Sequence, residues 1–271
     1  MGGPFPRRQG GLTFVFSAAG GLLLAFVLIP LLRMYATHGP EDLLRVAASP
    51  DVMPAVWLSL ESAFVTAAVA GLLGVPLAYM LSRWGFPGKR IVEALVDLPL
   101  AIPHTVVGIA LLFVFGRSGI IGAPIERLTG FKFWGTAGGI VICMLFVSLP
   151  HMVNSARIGF ESVDPRLEKV ARTLGHGPWS VFGRVTLPLA RHGILTGLML
   201  TYARSISEFG AVVILAYYPM TAPVKIYDLF LQSGLDESSA MAVIFMTIAL
   251  ALFIALRWVA RISGTNGSAS R

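Results

Sequence analysis

The segment that decides the fold is polar and comprises residues 163–188, with the sequence VDPRLEKVARTLGHGPWSVFGRVTLP. Asp164 is a good helix N-cap, and Pro165 suits the first helical position, where a missing N–H costs no hydrogen bond. Apolar residues then recur on one helical face at three- and four-residue spacing, namely Val163, Leu167, Val170, Ala171 and Leu174. Gly175 suits the left-handed residue that ends a helix, and Gly177-Pro178 restarts the chain. The sequence therefore predicts a helix, a glycine turn and a second helix at a membrane surface.

The chain on both sides of this hairpin is too apolar for a soluble domain. Of its 271 residues, 55% are hydrophobic and only 13% are charged. A hydrocarbon core about 30 Å thick needs roughly 20 apolar residues in a helix. Six stretches meet that need: residues 12–32, 55–81, 91–115, 135–153, 194–217 and 240–259. None shows the two-residue alternation of a barrel strand, so we expect an all-α polytopic membrane protein with six transmembrane helices.

The distribution of Lys and Arg predicts the orientation of these helices. Both termini, residues 83–90 and residues 157–192 would share one side, with 14 basic residues against three acids. The opposite side would carry six basic residues against seven acids. The positive-inside rule then places both termini and the polar hairpin in the cytoplasm. This bias also accounts for the net charge of +7 without a nucleic-acid partner.

Charged residues inside predicted spans are expensive and usually face a cavity or a partner. Arg204 and Glu208 are four residues apart in the fifth predicted span, so they can neutralise each other as a packed ion pair. Alternatively, Arg204, Ser205 and Ser207 offer donors to a passing oxyanion, and Glu208 limits how tightly it is held. His104 follows a proline-rich stretch of the third span, where it either lines the pore or serves a structural role. The sequence leaves these interpretations open.

The sequence offers no nucleotide site, metal site or disulfide. Gly88-Lys89 is followed by Arg90 rather than Ser or Thr, so it does not form a P-loop. The single cysteine, Cys143, lies within a predicted span and has no second thiol to pair with. We therefore expect no cofactor on this chain and no enzymatic activity of its own. An ATP-driven process would need ATP and Mg²⁺ on a partner subunit.

The polar hairpin resembles the cytoplasmic docking loop of bacterial and archaeal ABC-importer permeases. That pattern is Glu-Ala-Ala, three residues, Gly, nine residues, Ile, one residue and Leu-Pro. Lys169-Val170-Ala171, Gly175, Val185 and Leu187-Pro188 keep its register, although Lys169 replaces the Glu and Glu168 precedes it. The resemblance implies a loop over residues 157–192 that docks on a separate ATPase. The contact residues it implies are Glu168, Lys169, Ala171, Gly175, Val185, Leu187 and Pro188.

A second resemblance concerns residues 205–220, SISEFGAVVILAYYPM. This run is similar to the archaeal molybdate/tungstate permeases, and the Arg-x-x-x-Glu-Phe-Gly spacing from Arg204 is similar to the sulfate and molybdate permeases. The resemblance implies the type I ABC-importer permease fold, with two copies of the chain forming a pore. It also implies two ATPase subunits and an extracytoplasmic oxyanion-binding protein as partners in the cell membrane.

These observations divide the chain into three parts and favour one function. Residues 1–54 would form an N-terminal transmembrane helix and outer loop, residues 55–258 the importer transmembrane domain, and residues 259–271 a cytoplasmic tail. The expected function is passage of molybdate or tungstate, with sulfate or thiosulfate as the alternative substrates. An ion-driven secondary transporter is the remaining alternative, although no internal repeat supports it. An intramembrane serine protease would need Ser118 and His151 to meet, and the predicted spans place them at opposite membrane faces.

Overall fold

The computed structural model describes residues 10–265, and this range contains helices and connecting turns but no strand. In chain order the helices are α1 (Gly10–Thr37), α2 (Pro40–Ala47), α3 (Val52–Arg83), α4 (Lys89–Ala101), α5 (His104–Phe115), α6 (Gly122–Thr129), α7 (Ala137–Glu161), α8 (Pro165–Thr173), α9 (Pro178–Val181), α10 (Leu187–Ile206), α11 (Val212–Leu215), α12 (Ala222–Ser233) and α13 (Leu235–Thr265). A π-helical turn, Phe182–Thr186, joins α9 to α10. The prediction of an all-α protein is confirmed.

Three long helices, α3, α7 and α10, pack together at the centre of the molecule. Glycine makes the closest of these approaches possible, because a Cβ on Gly193 of α10 would lie only 2.5 Å from the Cα of Gly159 in α7. One turn further along α10, Gly197 faces Met152 of α7 in the same way. Small residues at this spacing let two helix backbones approach closely in lipid, where hydrophobic burial does not drive helix association.

The third and fifth predicted spans are broken rather than continuous. Helices α4 and α5 meet at an angle of 114° around Ile102 and Pro103, within the proline-rich stretch of the third predicted span. The prediction for the fifth span was wrong at its C-terminal end, since α10 ends at Ile206 and not near Tyr217. The apolar run beyond it folds into the short helix α11, which packs against α5.

The length and hydropathy of the described helices can be compared with the six predicted membrane crossings. Helices α3 and α7, together with residues 11–37 and 235–255, are long and apolar enough to cross a membrane. The bent pair α4–α5 adds a fifth crossing if it is taken as one span. Helix α10, with 20 residues, corresponds to the remaining predicted span. Six crossings stay a prediction.

The N-terminal helix lies outside this core. None of the most apolar window of α1 is buried, and the Tyr35 hydroxyl lies 2.7 Å from Thr247 Oγ1 of α13. The predicted cytoplasmic tail began at residue 259, but α13 continues to Thr265. Residues 1–9 and 266–271, which the prediction also places in the cytoplasm, lie outside the described residues.

Candidate docking surface and translocation site

The polar hairpin is built by the local signals that its sequence contains. The Asp164 carboxylate accepts a hydrogen bond of 2.8 Å from the backbone N–H of Arg166, so it caps α8, and Pro165 is the first residue of that helix. Gly175 has a φ of +88° and ends the helical segment, and α9 begins at Pro178. The predicted helix–glycine–helix hairpin is thereby confirmed. Because α7 continues to Glu161 and α10 begins at Leu187, it occupies residues 162–186 rather than 157–192.

This hairpin carries large apolar side chains that the rest of the described chain does not cover. They are Leu167, Val170, Leu174 and Trp179, all exposed. Trp179 is the most exposed of them, at 87%. Large apolar side chains that cluster on a surface mark a site of contact with another protein or with a membrane. We call this set of four residues the apolar docking face.

The inner face of the hairpin contains two residues that were predicted as partner contacts. Ala171 is buried, and Glu168 is only 6% exposed. The Glu168 side chain is turned into the protein, since its Oε1 atom accepts hydrogen bonds from Arg83 Nε at 2.9 Å and Thr186 Oγ1 at 3.0 Å. Its contact with a partner stays a prediction. Both side chains lie on the buried side of the hairpin.

The other predicted docking residues lie where a partner can reach them in whole or in part. Lys169, Gly175 and Pro188 are exposed, whereas Val185 and Leu187 are partly buried. Leu187 and Pro188 form the first turn of α10, so the docking pattern runs directly into a core helix. The hairpin and the central bundle are therefore continuous in the chain.

A charged cluster lies where α10 ends and α5 begins. Arg204 Nη2 lies 2.8 Å from Glu208 Oε2 and 2.8 Å from His104 Nδ1. His104 Nδ1 in turn lies 3.1 Å from Glu208 Oε2. The Arg204–Glu208 ion pair, one of the two predicted roles, is confirmed as a contact.

The backbone around the cluster explains its compactness. The chain leaves the helix after Ile206, and the freed N–H of Ala211 donates a 2.9 Å hydrogen bond to Glu208 Oε1. A Cβ at Gly210 would lie 2.8 Å from the Cβ of His104, so glycine permits this approach of the two segments. The Glu208 side chain is only 1% exposed, so its charge is neutralised within the protein.

The two serines of the predicted path point in different directions. Ser207 is exposed, and its Oγ accepts a 3.4 Å hydrogen bond from Arg204 Nη1. Ser205 is buried and donates to Ser148 Oγ of α7 at 3.1 Å, so it joins two core helices. The structure thus brings together His104, Arg204, Ser207 and Glu208, but it does not bring Ser205 into the cluster.

The role of Arg83 was not predicted from the sequence. In the sequence it counted only among the basic residues of 83–90, yet Arg83 ends α3 and contacts the hairpin 85 residues later. The available signal was an arginine at the end of a long apolar run, on the side predicted to hold the hairpin. Its partner could not be read from the sequence, because the contact is not local.

The fold defines a polytopic helical membrane protein that carries an exposed polar hairpin. Residues 70–263 match the family described as binding-protein-dependent transport system inner membrane component. The chain therefore belongs to this family of ABC-importer permease subunits.

The comparisons with individual proteins agree with this assignment. The chain is 44% identical over 254 residues to the molybdate/tungstate transport system permease protein WtpB of Thermococcus kodakarensis, covering 93% of this chain and 97% of that protein. It is 45% identical over 254 residues to WtpB of Pyrococcus furiosus, covering 93% and 96% of the two chains.

A solved structure has the same fold. The crystal structure of a bacterial ABC transporter involved in the import of the acidic polysaccharide alginate matches with a TM-score of 0.77 at 17% identity. The match covers 94% of this chain and 96% of that one. The predicted type I ABC-importer permease fold is confirmed.

Proposed function

We propose that this chain is the membrane-spanning subunit of an ABC importer that passes molybdate or tungstate into the cytoplasm. The family assignment supports the transport role, and the similarity to molybdate/tungstate permeases favours these oxyanions over sulfate or thiosulfate. The observation that carries the coupling to an ATPase is the apolar docking face. Its four side chains are exposed, and without a bound partner they would lie in water: Leu167, Val170, Leu174 and Trp179.

The cluster around Arg204 is the proposed point of contact with the oxyanion. A guanidinium offers five N–H donors in a planar fork that matches tetrahedral oxyanions, and Arg204 already directs Nη1 and Nη2 to Ser207 and Glu208. A bound anion would compete with the Glu208 carboxylate for the guanidinium of Arg204. Such competition keeps binding weak enough for release, which a transport path requires.

The partners that this function needs are inferred from the docking face and the family. We propose a second copy of this chain, two ATPase subunits that hold ATP and Mg²⁺, and an extracytoplasmic oxyanion-binding protein. The chain would cross the cell membrane six times with both termini in the cytoplasm. ATP binding and hydrolysis then shift the population between two states of the pore, because the nucleotide has different affinities for them.

Replacement of Trp179 tests the docking role. Trp179→Ala removes the most exposed side chain of the apolar docking face, and loss of a central aromatic anchor at an interface costs about 2 kcal/mol or more. We expect the variant to co-purify with clearly less ATPase subunit from membranes in mild detergent. Trp258→Ala in α13 is the matched control, because Trp258 is also exposed but lies on a predicted span. Equal ATPase recovery with both variants would contradict the docking role.

Uptake of labelled molybdate tests the transport role. The complex of permease, ATPase and binding protein is reconstituted in vesicles, and uptake is measured with and without ATP. Unlabelled tungstate should compete strongly, and sulfate only weakly. Strong competition by sulfate alone would assign the alternative substrate. ATP-independent uptake driven by an ion gradient would instead indicate a secondary transporter.

A further inference from the structure

Arg83 holds the docking hairpin to the membrane bundle through a buried junction. It is the last residue of α3, and its side chain is only 11% exposed. Its Nε donates to Glu168 Oε1 at 2.9 Å, and its Nη2 donates to the carbonyl oxygen of Val163 at 2.9 Å. Thr186 Oγ1 donates a third hydrogen bond to the same Glu168 oxygen, at 3.0 Å.

Four elements meet at this junction. Arg83 belongs to α3, and Val163 lies in the short connection between α7 and α8. Glu168 belongs to α8, and Thr186 is the last residue of the π-helical turn that leads into α10. The junction therefore ties the hairpin to the ends of the same three helices that form the core. π-helical turns of this kind are frequent at functional sites.

The hydrogen bonds of Arg83 at this junction depend strongly on the angle between donor and acceptor. Hydrogen bonds to ionised groups are shorter and stronger than neutral ones, and the planar guanidinium fixes the angle at which its two partners lie. Apolar contacts also hold the hairpin, such as the ring of Phe182 at 4.9 Å from that of Tyr79. Such contacts depend less on angle than a charged hydrogen bond does, so they tolerate small displacements. The ion pair does not, because separating the pair leaves a buried charge without its partner.

We propose that Arg83 is a positioning residue that transmits movement of the docking hairpin to α3, and through Val163 and Thr186 to α7 and α10. The inference rests on the proposed function, in which an ATPase docks on the hairpin. A movement of α8 displaces Glu168, and the displacement is carried to α3 by the charged hydrogen bond. The apolar docking face binds the ATPase, whereas the junction behind it converts that binding into helix movement.

The test compares Glu168→Gln with Glu93→Gln in the reconstituted complex of permease, ATPase and binding protein. Glu93 pairs with Arg157 at the same 2.9 Å, but this pair joins α4 to α7 and does not touch the hairpin. Both variants make the same chemical change. The measured quantities are ATPase recovery on purification, ATP hydrolysis and molybdate uptake. The ratio of ATP hydrolysed to anion transported reports coupling, and a purely structural role would not change it.

The expected result is a change in coupling without a change in docking. Glu168→Gln should retain the ATPase subunit, while the ATP hydrolysed per anion rises about fivefold or more, the lower range of coupling between protein sites. Glu93→Gln should keep the wild-type ratio. Arg83→Lys retains the charge but loses the planar fork, so its ratio should lie between the wild type and Glu168→Gln.

Three results would contradict the inference, and a fourth would contradict the proposed function on which it rests. A wild-type ratio in Glu168→Gln shows that the junction does not transmit movement. Loss of the ATPase from this variant shows that the junction only maintains the docking surface. An equal rise in Glu93→Gln shows a general effect of losing an ion pair. If the wild-type chain fails to bind an ATPase at all, the proposed function itself is wrong.

Discussion

Arg204 and Glu208 illustrate why the role of a charged residue in a membrane cannot be tested by removing it alone. Glu208 is almost fully buried, and Arg204 is the charged side chain that lies 2.8 Å from its carboxylate. Loss of the arginine leaves that carboxylate without its positive partner, at a cost of about 3–5 kcal/mol for a buried pair. A transport defect in Arg204→Met would therefore mix misfolding with loss of the anion contact.

The double variant Arg204→Met/Glu208→Gln separates the two effects. It removes both charges, and the amide oxygen that Glu208→Gln introduces can still accept the hydrogen bond that Ala211 N–H donates to Glu208 in the native chain. We expect recovery of folded complex relative to Arg204→Met, while molybdate uptake stays about tenfold or more below wild type, since hydrogen bonds to charged groups contribute about 1.5–3 kcal/mol. Complex yield is measured by size-exclusion chromatography. Full uptake by the double variant would restrict the pair to a structural role.

Ser205 and Ser207 provide a matched pair for the boundary of the translocation site. Ser205→Ala breaks a buried hydrogen bond to Ser148 and should lower stability by about 1 kcal/mol without changing the KM for molybdate. Ser207→Ala should leave stability unchanged and alter KM, because the exposed hydroxyl contacts Arg204. Thermal unfolding and uptake kinetics of both variants check this. A KM change in Ser205→Ala alone would move the path to the other face of α10.

The sequence could predict part of this cluster and not the rest. The spacing of Arg204 and Glu208 predicts their contact, because residues four apart on a helix are neighbours. The contact with His104 depends on the turn after Ile206 and on the bend before α5, so it is set by tertiary structure. The contact of Arg83 with the hairpin could not be predicted for the same reason. Ser205 lies within α10, and helical periodicity could not assign it to the interior because it does not tell which face of α10 packs against α7.

The local structure of the docking hairpin could be predicted from its sequence. Which of its faces the rest of the chain covers could not. Asp164, Pro165 and Gly175 act as cap, first residue and left-handed terminus. Periodicity also grouped Leu167 with Val163 on one face. In the structure Val163 is buried and Leu167 is exposed, and Glu168, the next residue after Leu167, is buried. A pattern reports which residues share a face, but it does not report whether the chain or a partner covers that face.

Gly175 and Gly177 allow a direct test of the hairpin turn. No atom lies within 4 Å of a Cβ added at either residue, so a substitution at either meets no clash. Gly175 has a φ of +88°, which costs a β-branched residue about 1–2 kcal/mol or more, whereas Gly177 is extended at a φ of −70° before a proline and tolerates one.

Gly175→Val should therefore distort the turn, and Gly177→Val should not. We expect the first variant to lose most ATP-dependent uptake and the second to stay close to wild type. Gly175→Asn should recover part of the activity, because asparagine tolerates the left-handed region. Uptake and ATPase recovery are measured for all three. Equal uptake by the two valine variants would show that the turn conformation does not matter for coupling.

The described part of the molecule has a core of three long helices with broken helices packed against it, and hydropathy predicts the continuous helices better than the broken ones. Helices α3 and α7 are continuous, and the predicted spans fall within or close to their bounds. The segments that line the charged cluster are the broken ones. Their hydropathy continues across Ile102–Pro103 and across residues 207–211, although the helix does not. Interrupted helices in a membrane are tolerated where freed backbone groups find partners, as Ala211 N–H does with Glu208.

The orientation of this molecule decides whether the docking hairpin can meet cytoplasmic ATPase subunits at all. Thr173 lies at the exposed end of α8, and Ser233 ends the exposed tip of α12, on the side predicted to face outward. Cys143 is the single native cysteine and is buried, so Cys143→Ala provides a background for site-specific labelling.

In that background, Thr173→Cys and Ser233→Cys are each exposed to a membrane-impermeant maleimide on intact cells. The positive-inside bias places the 157–192 segment in the cytoplasm, so we expect labelling of Ser233→Cys alone. Permeabilised cells should label both, which controls for the reactivity of each thiol. Labelling of Thr173→Cys alone in intact cells would invert the topology. It would also remove the apolar docking face from the compartment that contains ATP, and with it the basis for ATP-driven transport.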